Sequence, residues 1–148
     1  MTKLCFQSVG FTGTQKGMTP MQKLNVLKAL EEFKPSQCHI GDCIGADKDF
    51  HYLCESFNKL GKAIHLIGHI PENASKRAFC KYDHENFPAP YLQRNHSIVD
   101  SSDVLFVCPS GRQEELRSGT WATFRYARKT GCPIVIFYSD GTILKQGF

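Results

Sequence analysis

Short runs of strand-forming residues alternate with segments of helical period along the whole chain, and no other feature restricts the fold as strongly. Leu4-Cys5-Phe6-Gln7-Ser8-Val9 reads as a first strand that runs into a glycine-punctuated loop, Gly10 to Gly17. Thr19 then caps a helix, with Pro20 at its first position and Gln22 placed as a capping box requires. Met21, Leu24, Leu27 and Leu30 are expected to form its apolar face, and Pro35 ends it. Gln37 to Ile40 forms a second strand. The helix after it carries Phe50, Leu53, Cys54, Phe57 and Leu60, with Gly61 as a left-handed stop. Ala63 to Ile67 is a third strand. A short helix over Tyr91 to Val99 precedes a fourth strand, Val104 to Cys108. A helix from Ser118 to Lys129, stopped by Gly131, leads to a fifth, Ile134 to Tyr138.

Parallel strands need crossover connections, so this alternation predicts a single domain over residues 1–148. Its fold class is α/β, a Rossmann-like doubly wound parallel sheet of about five strands with helices on both faces. In such sheets ligands bind outside the carboxyl ends of the strands, where strand order reverses.

Composition narrows the function classes. A chain of 148 residues buries a sizeable core without staples. No stretch approaches the roughly 18 consecutive apolar residues of a membrane span, and Met1-Thr2-Lys3-Leu4 leads directly into the first strand, so neither secretion nor membrane insertion is expected. Cys5, Cys38, Cys43, Cys54, Cys80, Cys108 and Cys132 are odd in number and irregular in spacing. That suits reduced thiols in a cytoplasmic protein. Cys38, His39, Cys43, His51 and Cys54 contain no paired CxxC, and neither a metal nor a cofactor is expected. The net charge of +4 is scattered rather than gathered into a run, which fits an anionic small ligand better than a nucleic-acid groove.

Three strand ends carry unusual loops that should open toward one crevice. In the first, Thr12, Gly13, Thr14 and Lys16 offer flexible backbone, two hydroxyls and a cation to a phosphate. It lacks the Gly-Lys-Ser/Thr of a Walker motif. In the second, Gly41, Gly45 and Ala46 let helix-start amides face a ligand. Asp42 and Asp47 in the same loop repel phosphate. Asp47 fits a first-turn acid favoured by the helix dipole, and Asp42 can accept from ribose hydroxyls. In the third, Arg117, Ser118, Gly119, Thr120 and Trp121 open a helix as a phosphate cradle, Trp121 being either core or a stacking platform. Arg125 and Arg128 read as a solvated helix face. From Gly68 to Pro90 periodicity is lost over a stretch too long for an idle connection.

These residues resemble the SLOG superfamily. Gly41 to Asp47 is similar to the glycine-rich "GGARG(I/V/A)D" loop of the Rossmann domain of DNA-processing protein A, and Ser118-Gly119-Thr120-Trp121-Ala122-Thr123 to its "SG(S/T)LxTA" signature. Arg94-Asn95, shortly after Phe87-Pro88, matches its "FPxRN" element, and the three stand in the same order. The superfamily also contains the LOG-type phosphoribohydrolases. The resemblance implies a nucleotide-binding domain, often a homodimer or higher homo-oligomer, in which Arg94 and Asn95 meet the ligand and Ser118 to Thr120 cradle a phosphate. It leaves three functions open: sensing or sequestering a nucleotide or nucleotide-derived signal, cyclic or ADP-ribose-like; release of a base from a nucleoside 5′-monophosphate; and binding of single-stranded DNA.

LOG-type hydrolases carry a glutamate in "GGxGTxxE", and the aligned position here is Thr123. A hydroxyl cannot supply that charge, so a site that holds a nucleotide is favoured over one that cleaves it. A hydrolase would have to recruit Asp42, Asp47 or Glu115 as its catalytic carboxylate, with His69 and His84 as further acid–base candidates. Nucleic-acid binding would fall to Lys76, Arg77, Lys81, Tyr82, Phe87 and Tyr91, where basic and aromatic residues interleave, unless this segment is an ordered lid packed on the body.

Overall fold

The computed structural model describes residues 6–148, so Leu4 and Cys5 of the expected first strand lie outside the described residues. Seven strands form one sheet: β1 (Ser8–Gly13), β2 (Gln37–Ile40), β3 (His65–Gly68), β4 (His84–Glu85), β5 (Val104–Cys108), β6 (Ile134–Phe137) and β7 (Ile143–Gln146). Their order is β4-β3-β2-β1-β5-β6-β7. All neighbours are parallel except β6 and β7. The four helices are α1 (Pro20–Phe33), α2 (Ala46–Lys59), α3 (Tyr91–Asp100) and α4 (Gly119–Thr130).

The doubly wound α/β architecture is as expected, with two strands more than the five read from the pattern. Two-residue β4 is too short to show a period, and β7 returns from β6 through a tight turn, where the Tyr138 amide donates to Thr142 O at 2.9 Å. The glycines of β1 conceal its true span. Gly10 to Gly13 pair with Leu105 to Cys108 as strand, where a loop was expected. A Cβ at Gly10 would stand 2.4 Å from Ser102 Oγ, so close packing rather than turning demands glycine there.

Strands β5 and β6 present alternate residues to two apolar layers. Val104, Phe106 and Cys108 pack with Val26, Leu30, Phe50 and Phe57 of α1 and α2. Leu105 and Val107 pack with Ile98, Trp121, Phe124 and Ala127 of α3 and α4. Helix α1 carries the expected capping box, but its inward face is Gln22, Asn25, Val26, Ala29 and Leu30. Met21 and Leu24, expected to be apolar-face residues, are 45% exposed. The cause is Gln22, whose amide donates to Pro109 O at 2.9 Å and Phe137 O at 2.8 Å and turns that side of the helix to the sheet. Leu60 is likewise exposed, at the end of α2.

Candidate functional site

Strand order reverses between β1 and β5, since β1 has β2 on one side and β5 on the other. The crevice expected at that point exists as a cleft of about 790 Å³. It is bordered by the β1 end, the loops after β2 and β5, the start of α4, α3 and part of the segment after β3.

The first two loops are bound to each other. The Thr14 amide donates to Cys108 O at 3.0 Å, while Thr14 O accepts from the amides of Gly17 at 3.2 Å and Ala46 at 2.9 Å. Gly45 has φ +89, and a Cβ there would stand 2.3 Å from Gln15 O. This contact takes up part of the anion-binding capacity expected of the second loop. The amide of Cys43 donates to Asp47 Oδ2 at 3.1 Å, that of Ile44 to Lys76 O and that of Ala46 to Thr14 O. Gly45 and Ala46 therefore join the loops and do not border the cleft.

Asp42 requires the largest correction. Its side chain is fully buried at φ +59. The carboxylate accepts from Arg77 Nε at 2.7 Å, the amides of Phe79 at 3.2 Å and Cys80 at 3.0 Å, and Tyr82 Oη at 2.8 Å. Both oxygens are committed to the segment after β3, so Asp42 is positioned neither as a ribose acceptor nor as a catalytic carboxylate. Beside it the Tyr82 hydroxyl and Cys80 thiol are pushed up, first by burial and then by the Asp42 charge, Cys80 to about 11.

The start of α4 borders the cleft directly. Ser118 Oγ accepts from the Trp121 amide at 3.2 Å, and Ser118 O from that of Ala122 at 2.9 Å. Among the described residues nothing accepts from the amides of Gly119 and Thr120, first-turn donors with no intrahelical partner. Lys16, Arg117, Thr12, Gly13 and Thr14 border the cleft with them. Trp121 touches the cleft but is 2% exposed and packs edge-on against Phe124 at 5.3 Å, so it is principally core. Arg125 and Arg128 are not an idle solvated face. Arg125 donates to Glu115 O and Leu116 O, each at 3.3 Å, and both arginines pair with Glu114. They hold the loop that presents Glu115 and Arg117 to the cleft.

Arg94 and Asn95 also border the cleft, from α3. Arg94 is 7% exposed, and its Nη1 donates to Gly41 O and, at 3.4 Å, to His69 O. Its Nε donates to Asn95 Oδ1 at 2.7 Å. A Cβ at Gly41 would meet Arg94 Nη1 at 2.6 Å and Asp47 Oδ2 at 3.0 Å, so only glycine lets both side chains approach. Asp47 lines the cleft as well. Burial pushes its carboxyl up to about 6, against the lowering effect of Arg94 and the Cys43 amide. Lys16, Lys76, Arg94 and Arg117 outnumber Asp47 and Glu115 among the charged residues of the cleft, which suits an anion.

Other sequence candidates lie elsewhere. Thr123, at the glutamate position of the hydrolases, is 1% exposed and donates to Gly119 O at 2.8 Å. His69 is buried against His39, their Nε2 and Nδ1 2.8 Å apart, and burial drives the pair down to about 3 and 4. His84 lies on β4 and does not border the cleft. Of the residues considered for nucleic acid, Arg77 and Tyr82 are tied to Asp42, whereas Lys76 and Tyr91 reach the cleft. Sequence reasoning missed Cys43, Asn73 and Ser75 as cleft residues, and the only signal for the last two was the length of their connecting segment.

No protein-family model matches the chain, and no curated protein matches it. None of the helices among the described residues is long and apolar enough to cross a membrane. Among solved structures, one described as the molybdenum cofactor binding protein from the phototrophic bacterium Rippkaea orientalis superposes with a TM-score of 0.63. The match has 21% identity and covers 92% of this chain and 78% of the other, and the likeness is one of fold.

Proposed function

We propose that the chain binds a nucleotide or nucleotide-derived small molecule, phosphate-bearing, and senses or sequesters it without turnover. The observation that carries this reading is the start of α4, where the open amides of Gly119 and Thr120 stand with Lys16 and Arg117 on one cleft. Helix-start amides and the helix dipole together favour an anion. A volume of about 790 Å³ suits a small organic ligand rather than a bare ion. The related structure is described as binding a molybdenum cofactor, which supports a small-molecule reading of this fold. That cofactor enters the test as one ligand among several.

Thermal-shift measurements should cover nucleoside mono- and diphosphates, cyclic nucleotides, ADP-ribose, the molybdenum cofactor and inorganic phosphate, with mass spectrometry of the best ligand after incubation. The expected result is stabilisation by a phosphate-bearing ligand whose mass stays unchanged, with affinity cut about tenfold in Lys16→Ala and Arg117→Ala. Absence of any shift across the panel would overturn the reading. Self-association as a homodimer belongs to the same reading, and sedimentation tests it.

A second reading, base-releasing hydrolysis, draws support from Asp47 and Glu115 bordering the same cleft, Asp47 with its carboxyl at about 6. Free base in the incubation, lost in the Asp47→Ala/Glu115→Ala double variant, would establish it.

A further inference from the structure

Asp47 is a carboxylate of the cleft only one of whose oxygens is bonded among the described residues. It is 6% exposed, yet of its two carboxylate oxygens only Oδ2 accepts a hydrogen bond among the described residues, from the Cys43 amide at 3.1 Å. Arg94 lies close but forms no ion pair with it, its Nη1 and Nε being committed to Gly41 O, His69 O and Asn95. What Asp47 offers the cleft is therefore an open acceptor on a side chain otherwise held in place, worth more in a site that a ligand dries than in water.

Its place in the sheet decides what kind of donor it suits. Asp47 follows β2, the cradle at α4 follows β5, and β1 lies between them. Two strand spacings separate the positions by about 10 Å. Counting a hydrogen bond at each end, a 5′-phosphate together with its ribose spans that separation, and a phosphate alone does not. Carboxylates in nucleotide sites accept from ribose hydroxyls, and a vicinal diol offers them two donors.

We propose that Asp47 is the specificity-determining residue of this cleft, its free oxygen accepting from the ribose diol of a ligand whose phosphate sits at the start of α4. This rests on the phosphate-binding reading above and makes the site one for ribonucleotides. The groups facing Asp47 leave it room to act as an acceptor near neutral pH. Arg94 of α3 is a permanent cation, and the thiols of Cys43 and of Cys108 on β5 are raised by burial and stay neutral. Tyr82 of the segment after β3 is raised as well, and the charge of Asp42 is matched by Arg77.

The test measures affinities of the four ribonucleoside 5′-monophosphates, their 2′,3′-dideoxy counterparts and inorganic phosphate, for the wild type and for Asp47→Asn. Asparagine retains an oxygen for the Cys43 amide and turns a donor to the cleft. The expected wild-type preference for ribo over dideoxy is about tenfold or more. It should fall as pH drops through about 6, where Asp47 takes up its proton, and be small and pH-independent in Asp47→Asn, with inorganic phosphate affinity retained. Taking the ratio cancels titration of the phosphate itself. Equal affinity of the wild type for both series, or an unchanged ratio in the variant, overturns the proposal. Phosphate binding with no ribonucleotide binding overturns it alone. If neither phosphate nor any nucleotide binds, the functional reading falls too.

Discussion

Arg77 Nε donates to Asp42 Oδ2 at 2.7 Å, joining the loop after β2 to a residue 35 positions away in the segment between β3 and α3. That segment has almost no regular structure of its own, and the Asp42 carboxylate supplies the acceptors its backbone and side chains need. It stays in place as an ordered strap, and its Asn73, Ser75 and Lys76 reach the cleft.

Asp42→Ala should therefore destabilise the chain by about 3–5 kcal/mol, the range for removing one partner of a buried ion pair. Urea unfolding measures the loss, and limited proteolysis should cut first within residues 69–90. A variant as stable and as resistant as the parent would show that the strap holds itself.

Gly45→Ala should be nearly as damaging despite adding one methyl. Its φ of +89 is strained for an L-residue, and the new Cβ would collide with Gln15 O at 2.3 Å. The backbone strain alone contributes about 1–3 kcal/mol. Because Gln15 and Lys16 must move to admit the methyl, phosphate affinity should drop together with the melting temperature. Lower stability with unchanged affinity would separate this hinge from the cleft.

Stability should fall on acidification because of His39 and His69. Their ordinary value is 6.5, and burial lowers them to about 4 and about 3 in the folded chain. Between those values the unfolded chain takes up protons that the folded chain refuses. Each histidine thus removes up to about 1.4 kcal/mol per pH unit below pH 6.5. Asp47 acts in the opposite sense, since burial raises it from 3.8 to about 6 and the folded chain binds its proton more readily. One raised carboxyl offsets only one of two lowered imidazoles, so the net slope remains acid-labile. Urea titrations at pH 7 and pH 5 give the slope, which should flatten in the His39→Gln/His69→Gln double variant; an equal slope would place the acid lability elsewhere.

A glutamate introduced at position 123 should not confer hydrolysis. Thr123 is 1% exposed within α4, where its hydroxyl donates to Gly119 O, so Thr123→Glu buries a carboxylate there and should cost several kcal/mol. Chromatography after incubation with nucleoside monophosphates should show no free base. Release of base by this variant would mean that the start of α4 can reorganise into a catalytic site.

The sequence by itself determined the layer architecture, because strand and helix periods are local properties and parallel pairing requires the crossovers that separate them. It also determined the geometry on which the proposed phosphate site at the start of α4 rests, since Ser118 as a cap and the open amides of Gly119 and Thr120 depend only on residues adjacent in the chain. Tertiary structure alone decided how the acidic loop is used. Asp42 and Asp47 stand five positions apart with the same charge, and local pattern could only assign Asp47 to the helix dipole and Asp42 to a ligand. The fold reversed their claims on the cleft, because partners 35 to 40 positions away in the strap satisfy Asp42. Gly41, crowded by Arg94 from α3, leaves Asp47 at the cleft with one oxygen unpartnered among the described residues. Which carboxylate is satisfied depends on contacts between distant segments, and those exist only once the sheet has brought its strand ends together.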